Sequence, residues 1–213
     1  NHEAIGIAAN LKLGHLNVLW DDNDITIDGK VSLSSCEDIP ARYRATGWHV
    51  VECDGHDYAD IRRALGEAAA ETSMPTLVRC TTVIGKGAPN KQGTSATHGS
   101  PLGDDEVAAA RKELGWEYPP FEVPEDIRAN WLATGTRGAT ARAEWQARLD
   151  ASKDKAEFTR RMAGDLPAGD KAAKTLAKWL ESAEKVATRK ASENALEVLN
   201  PLVPEMLGGS ADL

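Results

Sequence analysis

The sequence predicts an α/β fold in which a doubly wound parallel sheet is followed by a helical connector. Within residues 16–84, short apolar segments alternate with segments of helical periodicity, a pattern typical of parallel sheets with right-handed crossovers. From about residue 125 to residue 184 the strand pattern is absent, and the sequence is charged and helical. The narrow apolar stripes of these later helices indicate that they lie on the surface of something larger.

Three strands and three helices are predicted in the first half of the chain. The strands are the segments LNVLW (16–20), WHVVEC (48–53) and TLVRCTTVI (76–84). The helices cover residues 2–13, 36–46 and 58–71. Short apolar runs rich in β-branched residues favour strands, whereas apolar residues at three- and four-residue steps favour helices.

Capping residues mark the ends of the predicted helices. The first helix is expected to end at Gly14, which would adopt a left-handed conformation. Ser35 and Asp38 match a capping pattern ahead of the second helix, and Asp57 is expected to cap the third. The buried face of the third helix is predicted to contain Tyr58, Ile61, Leu65 and Ala68.

Composition and charge argue against several classes of protein. The net charge of −8 argues against a nucleic-acid-binding surface, because phosphate contacts require clustered Lys and Arg. No apolar run approaches the ~20 residues of a membrane-spanning helix, and no export leader stands at the start. The cysteines Cys36, Cys53 and Cys80 form no CxxC pair. They therefore indicate neither a disulfide framework nor a zinc site, and a cytoplasmic location is expected.

Both ends of the sequence suggest a piece of a longer protein. The helix predicted over residues 2–13 has no capping residue ahead of it, and the segment PEMLGGSADL (204–213) ends where an apolar run meets a glycine pair. Before that segment, a helix is predicted to place on one side the residues Ala191, Ala195, Leu196 and Leu199. This helix is expected to lead into an apolar strand, so we expect a second domain to begin here.

The loops that follow the three predicted strands are expected to share one edge of the sheet, where ligands of parallel sheets bind. They contain the segments DDNDITIDG (21–29), DGHD (54–57) and GKGAPNKQGTSATHGSPLG (85–103). The last loop is far longer than the ~2–6 residues of an ordinary connection, and loops of such length are commonly functional. Its glycines allow the backbone to approach a ligand closely.

The acidic first loop admits two interpretations. The side-chain oxygen of Asn23 and the backbone carbonyl of Ile25 could face a hard divalent cation, which prefers oxygen ligands. An EF-hand is excluded, because a loop starting at Asp21 places Thr26 where the invariant glycine is required. Acidic turns are also commonly just solvated. The residues alone therefore leave a metal site and a solvated turn open.

Two histidines lie on the other loops. His98 could anchor its glycine-rich loop, or it could donate hydrogen bonds to a reacting oxygen, since imidazole titrates near neutrality. For His56 a role in helix capping and loop structure is the better interpretation.

Six segments taken together resemble the transketolase family, in the same order and with similar spacing. They are LKLGHLNVLWDDNDITIDG, GWHVVECDGHD, TTVIGKGAPNKQGTSATHGSPLG, LGWEYPPFEVPEDI, ATRKASENALE and LGGSADL. The resemblance extends over essentially the whole chain and implies the thiamine diphosphate-binding fold, present in part. It implies the later part of the diphosphate-binding domain at 1–118, a helical interdomain connector at 119–186, and the start of the pyrimidine-binding domain at 187–213.

The resemblance also implies an activity with its cofactors and partners. Such enzymes transfer a two-carbon ketol unit from a ketose phosphate to an aldose phosphate, in the pentose phosphate pathway. They use thiamine diphosphate with Mg²⁺ or Ca²⁺, and they form homodimers with active sites between subunits. Phosphorylated sugars are the expected partners, with no nucleic acid and no membrane.

Residue roles follow from the same resemblance. Asn23 and Ile25 would bind the metal and the cofactor, Ile84 would line the cofactor cleft, and His98 would reach both the cofactor diphosphate and the substrate as the catalytic residue. Arg189 would bind the substrate phosphate. The pyrimidine-binding domain would contribute Asp212 and Leu213 to the cofactor site, and Glu3 would belong to a network between subunits.

Three features of the family have no counterpart in these residues: the Gly-Asp-Gly motif, the glutamate that activates the aminopyrimidine, and the remaining substrate histidines. The 213-residue chain is therefore predicted to be inactive alone. Two alternatives stay open. One is a related thiamine-dependent ketolase, such as a dihydroxyacetone synthase or a phosphoketolase, and the other is a non-catalytic fragment or interaction module.

Overall fold

The computed structural model describes residues 2–167, 170–181 and 185–209. The chain divides into two compact units, the first ending at Glu122 and the second beginning at Val123. The first unit contains α1 (His2–Asn10), β1 (Asn17–Asp22), β2 (Ile25–Thr26), β3 (Gly29–Lys30), α2 (Ile39–Ala45), β4 (His49–Asp54), α3 (Tyr58–Ala70), β5 (Thr76–Thr81) and α4 (Asp104–Glu113). The second contains α5 (Glu125–Ala151), α6 (Lys155–Ala163), α7 (Asp170–Glu181) and α8 (Thr188–Leu199).

Strands β1, β5 and β4 form a parallel sheet in that order. Thr76 at the start of β5 pairs with Asn17 of β1 on one side and with His49 of β4 on the other, so the three strands start and end together. The prediction of a parallel α/β sheet is confirmed. Strands β2 and β3, which the sequence did not predict, form a small antiparallel hairpin directly after β1.

The sheet is covered on both faces, as a doubly wound fold requires. On one face Val51 and Val78 pack with Ala64 and Ala68 of α3. On the other face lies a cluster that contains Ile5, Ala8, Trp48 and Leu77. The indole N–H of Trp48 donates to the carbonyl of Ile5 at 3.0 Å, so this buried polar group is satisfied.

The third strand is shorter than predicted. The sequence indicated 76–84, but β5 ends at Thr81, because its neighbours β1 and β4 end at the same level. The backbone N–H of Val83 donates instead to the Nε2 atom of His56 at 2.8 Å. A side chain thus replaces the strand partner once the ladder ends.

The buried face of α3 was predicted wrongly in part. Tyr58 is 86% exposed and Leu65 is 42% exposed, whereas Ala64 is 0% exposed. The helix is rotated so that its contact with the sheet is made by Ala64 and Ala68, with Ile61 at the margin. Small residues at the contact let the helix axis approach the sheet, and the larger apolar side chains then fall outside it.

The predicted glycine stop of the first helix is also wrong. Helix α1 ends at Asn10, and the left-handed residue after it is Lys12, with φ 51°. Gly14 serves a different purpose, since a Cβ atom there would lie 1.8 Å from the carbonyl oxygen of Thr72. It is a glycine because two backbone segments approach each other closely.

Asp38 and Asp57 cap their helices as predicted, but α2 begins at Ile39 and not at residue 36, so Ser35 lies ahead of the cap and only closes the turn before it. Asp38 accepts a hydrogen bond from the backbone N–H of Ala41 at 2.9 Å, and Ser35 accepts one from Glu37 at 3.3 Å. Asp57 caps α3 by accepting from the N–H of Ala59. Aspartate at these positions satisfies donors that have no partner within the helix.

The second unit is helical throughout its described elements, as the sequence predicted. Trp145 of α5 and Phe158 of α6 meet edge to face, with their ring centroids 6.0 Å apart. Arg160 pairs with Glu157 at 2.8 Å and also with Glu205. In the part of the chain after α8 that the structure describes, residues 201–209 form turns and irregular backbone and not the expected apolar strand.

The division after Glu122 separates two compact units and does not test the predicted domain boundaries. The domain limits of 1–118, 119–186 and 187–213 stay a prediction.

Among the described residues, no helix combines the length and the apolar character needed to cross a membrane.

Candidate functional site

The three loops predicted to share an edge of the sheet do leave it side by side. Thr81, the last residue of β5, pairs with Asp22 of β1 and with Asp54 of β4. The N–H of Gly55 donates to the carbonyl of Thr81 at 2.8 Å. Parallel strands thus deliver all three loops to their common carboxyl edge.

Asn23 forms a tight turn at the end of β1. Its side-chain oxygen accepts a hydrogen bond from the N–H of Ile25 at 3.1 Å. Asp24 between them adopts a left-handed conformation with φ 60°, and its carbonyl accepts from the N–H of Val31 at 3.0 Å. Both Asn23 and Ile25 are half-buried. The turn therefore holds the Asn23 amide at a fixed place.

A cavity of ≈ 840 Å³ lies against this turn and is lined by Asn23 and Ile25. Three aspartates also line it: Asp21, Asp22 and Asp24. Asp22 pairs with Arg79 at 2.6 Å, and Asp21 accepts a hydrogen bond from the hydroxyl of Thr82. Two of the three carboxylates are therefore already engaged.

The fit of this turn to a divalent cation is partial. Its donors are oxygens, which suit Mg²⁺ or Ca²⁺, and an amide oxygen that accepts one hydrogen bond keeps a second lone pair. However, no group of three or more His, Cys, Asp or Glu side chains suited to a metal is found in the described part of the chain. These residues can thus supply only part of a coordination sphere.

Arg79 ties the three strands together beneath the site. It pairs with Asp22 of β1 at 2.6 Å and with Glu52 of β4 at 3.0 Å, and it lies 5.7 Å from the ring centroid of Trp20. The hydrogen bond with Asp22, followed by that with Glu52, raises the pKa of Arg79. Arg79 therefore remains charged and serves the sheet as a positively charged clamp.

The long loop after β5 is held by its own backbone. The N–H of Gly93 donates to the carbonyl of Ile84 at 2.8 Å, and Ile84 is half-buried. Gly85 has φ 64°, and a Cβ atom there would lie 2.6 Å from the Thr97 side chain. The hydrogen bond from Val83 to His56 links this loop to the loop after β4, in agreement with the structural role expected for His56.

Glu106 is an anchor of this loop that sequence reasoning missed. It is 5% exposed and accepts from the backbone N–H of Asn90 at 2.9 Å and from its side-chain amide at 2.8 Å. The side-chain hydrogen bond from Asn90 is the main reason that the pKa of Glu106 is lowered. Nearby, Lys91 donates to the carbonyl of Leu102 at 2.7 Å. The acidic residues in the first turn of α4 are apparent in the sequence, but they are equally typical of an ordinary helix start and do not indicate an anchor for the loop.

His98 ends a short helical turn over Ser95–Thr97 on the same loop. Its backbone N–H donates to the carbonyl of Ser95 at 3.0 Å, while its side chain is exposed. Among the described residues its imidazole forms no hydrogen bond. The anchoring role considered for its side chain thus finds no contact, and the imidazole remains open to a ligand.

The remaining predicted site residues belong to other elements of the chain. Arg189, in the second unit, is exposed in the first turn of α8 and lines a cavity of ≈ 870 Å³. Glu3 lies in the first turn of α1, where a hydrogen bond from its own backbone N–H lowers its pKa. Asp212 and Leu213 lie outside the described residues.

Sequence comparisons agree in the family they identify. The family profile described as "Transketolase, thiamine diphosphate binding domain" matches residues 1–167. A transketolase of Rhodobacter capsulatus is 52% identical over 217 residues, covering 100% of this chain and 32% of that protein. Transketolase 1 of Escherichia coli K12 is 47% identical over 221 residues, covering 100% and 33%. The chain thus spans about a third of the length of these curated relatives.

Solved structures are similar along nearly the whole chain. A transketolase from Leishmania mexicana superposes with a TM-score of 0.84 at 36% identity, covering 99% of this chain and 32% of that one. A Pichia stipitis transketolase in complex with sedoheptulose 7-phosphate gives 0.85 at 38% identity, with the same coverage. With the matched profile and the identities of its relatives, these likenesses show that the chain belongs to the transketolase family.

Proposed function

We propose that the protein, in its full natural length, is a transketolase that transfers a two-carbon ketol unit from a ketose phosphate to an aldose phosphate. The observation that carries this proposal is the match of residues 1–167 to the thiamine diphosphate-binding domain of the family. Three loops that meet at the carboxyl edge of the sheet support it, because cofactors of parallel sheets bind at that edge. The chain spans only part of its relatives, so the activity belongs to the larger protein.

The proposed cofactors are thiamine diphosphate and a divalent cation, Mg²⁺ or Ca²⁺. Asn23 would give its amide oxygen and Ile25 its backbone carbonyl to the cation, and Ile84 would line the cofactor cleft. The fixed turn at Asn23 and the cavity beside it support this assignment. When bound, thiamine diphosphate supplies the carbanion chemistry that ketol transfer needs. Asp21 and Asp22 are already engaged, and the other metal ligands would come from the diphosphate and from residues of the larger protein.

The proposed substrates are sugar phosphates, and two residues of this chain would recognise them. The exposed imidazole of His98 can donate hydrogen bonds to the cofactor diphosphate and to substrate oxygens. Arg189 stands in the first turn of α8, where unsatisfied backbone N–H groups attract an anion and a guanidinium adds paired donors. The Pichia stipitis relative in complex with sedoheptulose 7-phosphate supports a phosphorylated substrate.

The proposal extends to the assembly and the location. Asp212 and Leu213 would reach the cofactor from the pyrimidine-binding domain, and Glu3 would join the network between two subunits of a homodimer. The cytoplasm is the proposed compartment, in line with three cysteines that form no CxxC pair in the sequence.

The test is ketol transfer by the purified full-length protein. Sedoheptulose 7-phosphate as donor and an aldose phosphate as acceptor should give a new ketose phosphate two carbons longer than the acceptor. Product formation, followed by mass spectrometry, should require both thiamine diphosphate and a divalent cation. If the ketose is consumed without transfer to the aldose phosphate, a related ketolase is the better assignment. If no ketose is consumed, the non-catalytic alternative stands.

A further inference from the structure

Two cysteines that are distant in sequence meet on neighbouring strands of the sheet. Cys53 of β4 and Cys80 of β5 are register partners, and their sulfur atoms lie 3.8 Å apart. Both are reduced in the structure. Sequence patterns do not predict this pair, because a separation of 27 residues forms no cysteine motif.

The backbone spacing at this position suits a disulfide. Neighbouring strands lie about 4.7–4.9 Å apart, and disulfides join Cα atoms about 4.4–6.8 Å apart. Both side chains point to the same face of the sheet, where they belong to the cluster of Val51 and Val78. Only the two sulfurs have to approach each other, so the strands can keep their places.

The two thiols differ in exposure, which sets the order of their reactions. Cys53 is 6% exposed, and burial, with the hydrogen bond to Cys80, raises the pKa of its thiol to about 11. Cys80 is half-buried. A cavity of ≈ 610 Å³ at the carboxyl edge is lined by Cys53, His56 and Thr82. This cavity brings a small oxidant against Cys53. Cys80 does not line it, but its sulfur belongs to the less buried of the two side chains, which makes Cys80 the better initial nucleophile.

We propose that Cys53 and Cys80 are a modification site at which a peroxide forms a reversible disulfide within the sheet. The thiolate of Cys80 attacks one oxygen of hydrogen peroxide, the O–O bond breaks, and the leaving hydroxide becomes water on taking up the thiol proton. The sulfur of Cys53 then attacks the resulting sulfenic acid, the S–O bond breaks, and a second water leaves with the proton of Cys53. Two thiols lose two electrons in total, and one peroxide is reduced to two waters.

The crosslink would lie directly beneath the loops of the candidate cofactor site. A Cβ atom on Gly55 would lie 3.2 Å from the Cβ atom of Cys80, so the loop after β4 packs against this pair. That loop carries His56, which holds Val83 of the long loop. Oxidation therefore fixes β4 to β5 at the base of both loops.

The test uses the full-length protein treated with hydrogen peroxide, blocked with N-ethylmaleimide and digested with trypsin without a reductant. Mass spectrometry should find peptide 45–62, which contains Cys53, joined to peptide 80–86, which begins with Cys80. The mass of the joined peptides should be two hydrogens below the sum of the masses of the two free peptides, and dithiothreitol should separate them. Peptide 31–42 reports on Cys36, an exposed thiol, which should be oxidised or blocked without joining either partner.

Variants supply the matched controls. Cys36→Ser should leave the joined peptide at its original yield, whereas Cys80→Ser and Cys53→Ser should each abolish it. Circular dichroism should confirm that each variant is folded. The inference is overturned if peptides 45–62 and 80–86 stay separate at peroxide doses that oxidise Cys36. It is also overturned if Cys36 joins either partner as readily as they join each other.

Discussion

The amide oxygen of Asn23 accepts a hydrogen bond from the backbone N–H of Ile25 at 3.1 Å and so closes the turn that leaves the first strand. In the proposed site the same oxygen also binds a metal ion through its second lone pair. Asn23→Ala removes both interactions. We expect the concentrations of thiamine diphosphate and of metal that give half-maximal activity to rise by at least ~10- to 100-fold, which is the loss of affinity typical of changes around metal ligands.

The measurement is activity of the full-length protein titrated against cofactor and cation. Asn23→Asp keeps an acceptor oxygen and should restore much of the affinity. Asp28→Ala, at the exposed tip of the same hairpin, should leave it unchanged. An unaltered cofactor requirement in Asn23→Ala would mean that the turn is only solvated.

The two loop histidines should respond differently to replacement. His98→Ala removes an exposed imidazole that forms no hydrogen bond among the described residues, so we expect lower kcat and weaker cofactor binding at an unchanged Tm. His56→Ala removes the acceptor of the Val83 N–H and should cost about 0.5–1.5 kcal/mol of stability. Calorimetry and steady-state kinetics on both variants separate the roles. A large fall in Tm for His98→Ala would assign that residue to the fold.

Local patterns in the sequence were sufficient for the sheet and its ligand edge. Apolar runs and caps such as Asp38 and Asp57 depend on residues close in sequence, and the parallel orientation of the strands then follows from their alternation with helices. The turn at Asn23 was visible for the same reason. Its role as a metal ligand, and those of His98 and Arg189, came from the family resemblance and stay predictions.

The features that sequence reasoning missed depend on contacts between distant segments. The rotation of α3, which buries Ala64 and exposes Leu65, is set by the sheet beneath it. The meeting of Cys53 and Cys80 requires the register of β4 against β5. Glu106 could not be distinguished from an ordinary acidic helix start, because its partner Asn90 lies 16 residues away in an irregular loop.

Gly85 should resist replacement more strongly than Gly99. Both have positive φ, 64° and 77°, so alanine at either position costs about 1–2 kcal/mol of backbone strain. A Cβ atom on Gly85 would also lie 2.6 Å from the side chain of Thr97, whereas nothing lies within 4 Å of one on Gly99. Gly85→Ala should therefore lower Tm more than Gly99→Ala and should displace the turn that carries His98. Equal falls in Tm for the two variants, measured by calorimetry, would show that the side chain of Thr97 moves aside without a cost in stability.

Glu106 should make the order of the long loop dependent on pH. The hydrogen bonds from Asn90 lower its pKa below the ordinary value of 4.5. A lowered folded-state pKa contributes stability above the unfolded-state pKa, and this stability is lost as pH falls through the folded-state pKa. We expect the protection of residues 85–103 from hydrogen exchange, relative to the intrinsic rate at each pH, to fall on acidification below 4.5, and Glu106→Gln to show low protection already at neutral pH. Slow exchange in that variant would show that the carboxylate does not hold the loop.

Arg189 offers a test in which function and fold predict different outcomes. A guanidinium in the first turn of α8 is slightly disfavoured by the helix dipole, and it forms no ion pair within the described residues. A bound substrate phosphate would compensate, since it attracts both the helix end and the planar cation. Lys190, the next residue, pairs with Glu193 at 2.7 Å and lines the same cavity, which makes it a suitable control.

In the full-length protein, Arg189→Ala should raise KM for sugar phosphates by about 10- to 150-fold, which corresponds to roughly 1.5–3 kcal/mol for a charge-assisted hydrogen bond. Hydroxypyruvate, a donor without a phosphate, should be used almost as well as before, because it has nothing for Arg189 to bind. Lys190→Ala should leave KM unchanged for both kinds of donor, since the charge of Lys190 is already paired. Steady-state kinetics with both donors decides the matter: an equal loss on both would assign Arg189 to the support of α8, whereas a loss confined to phosphorylated donors places the phosphate at this helix end.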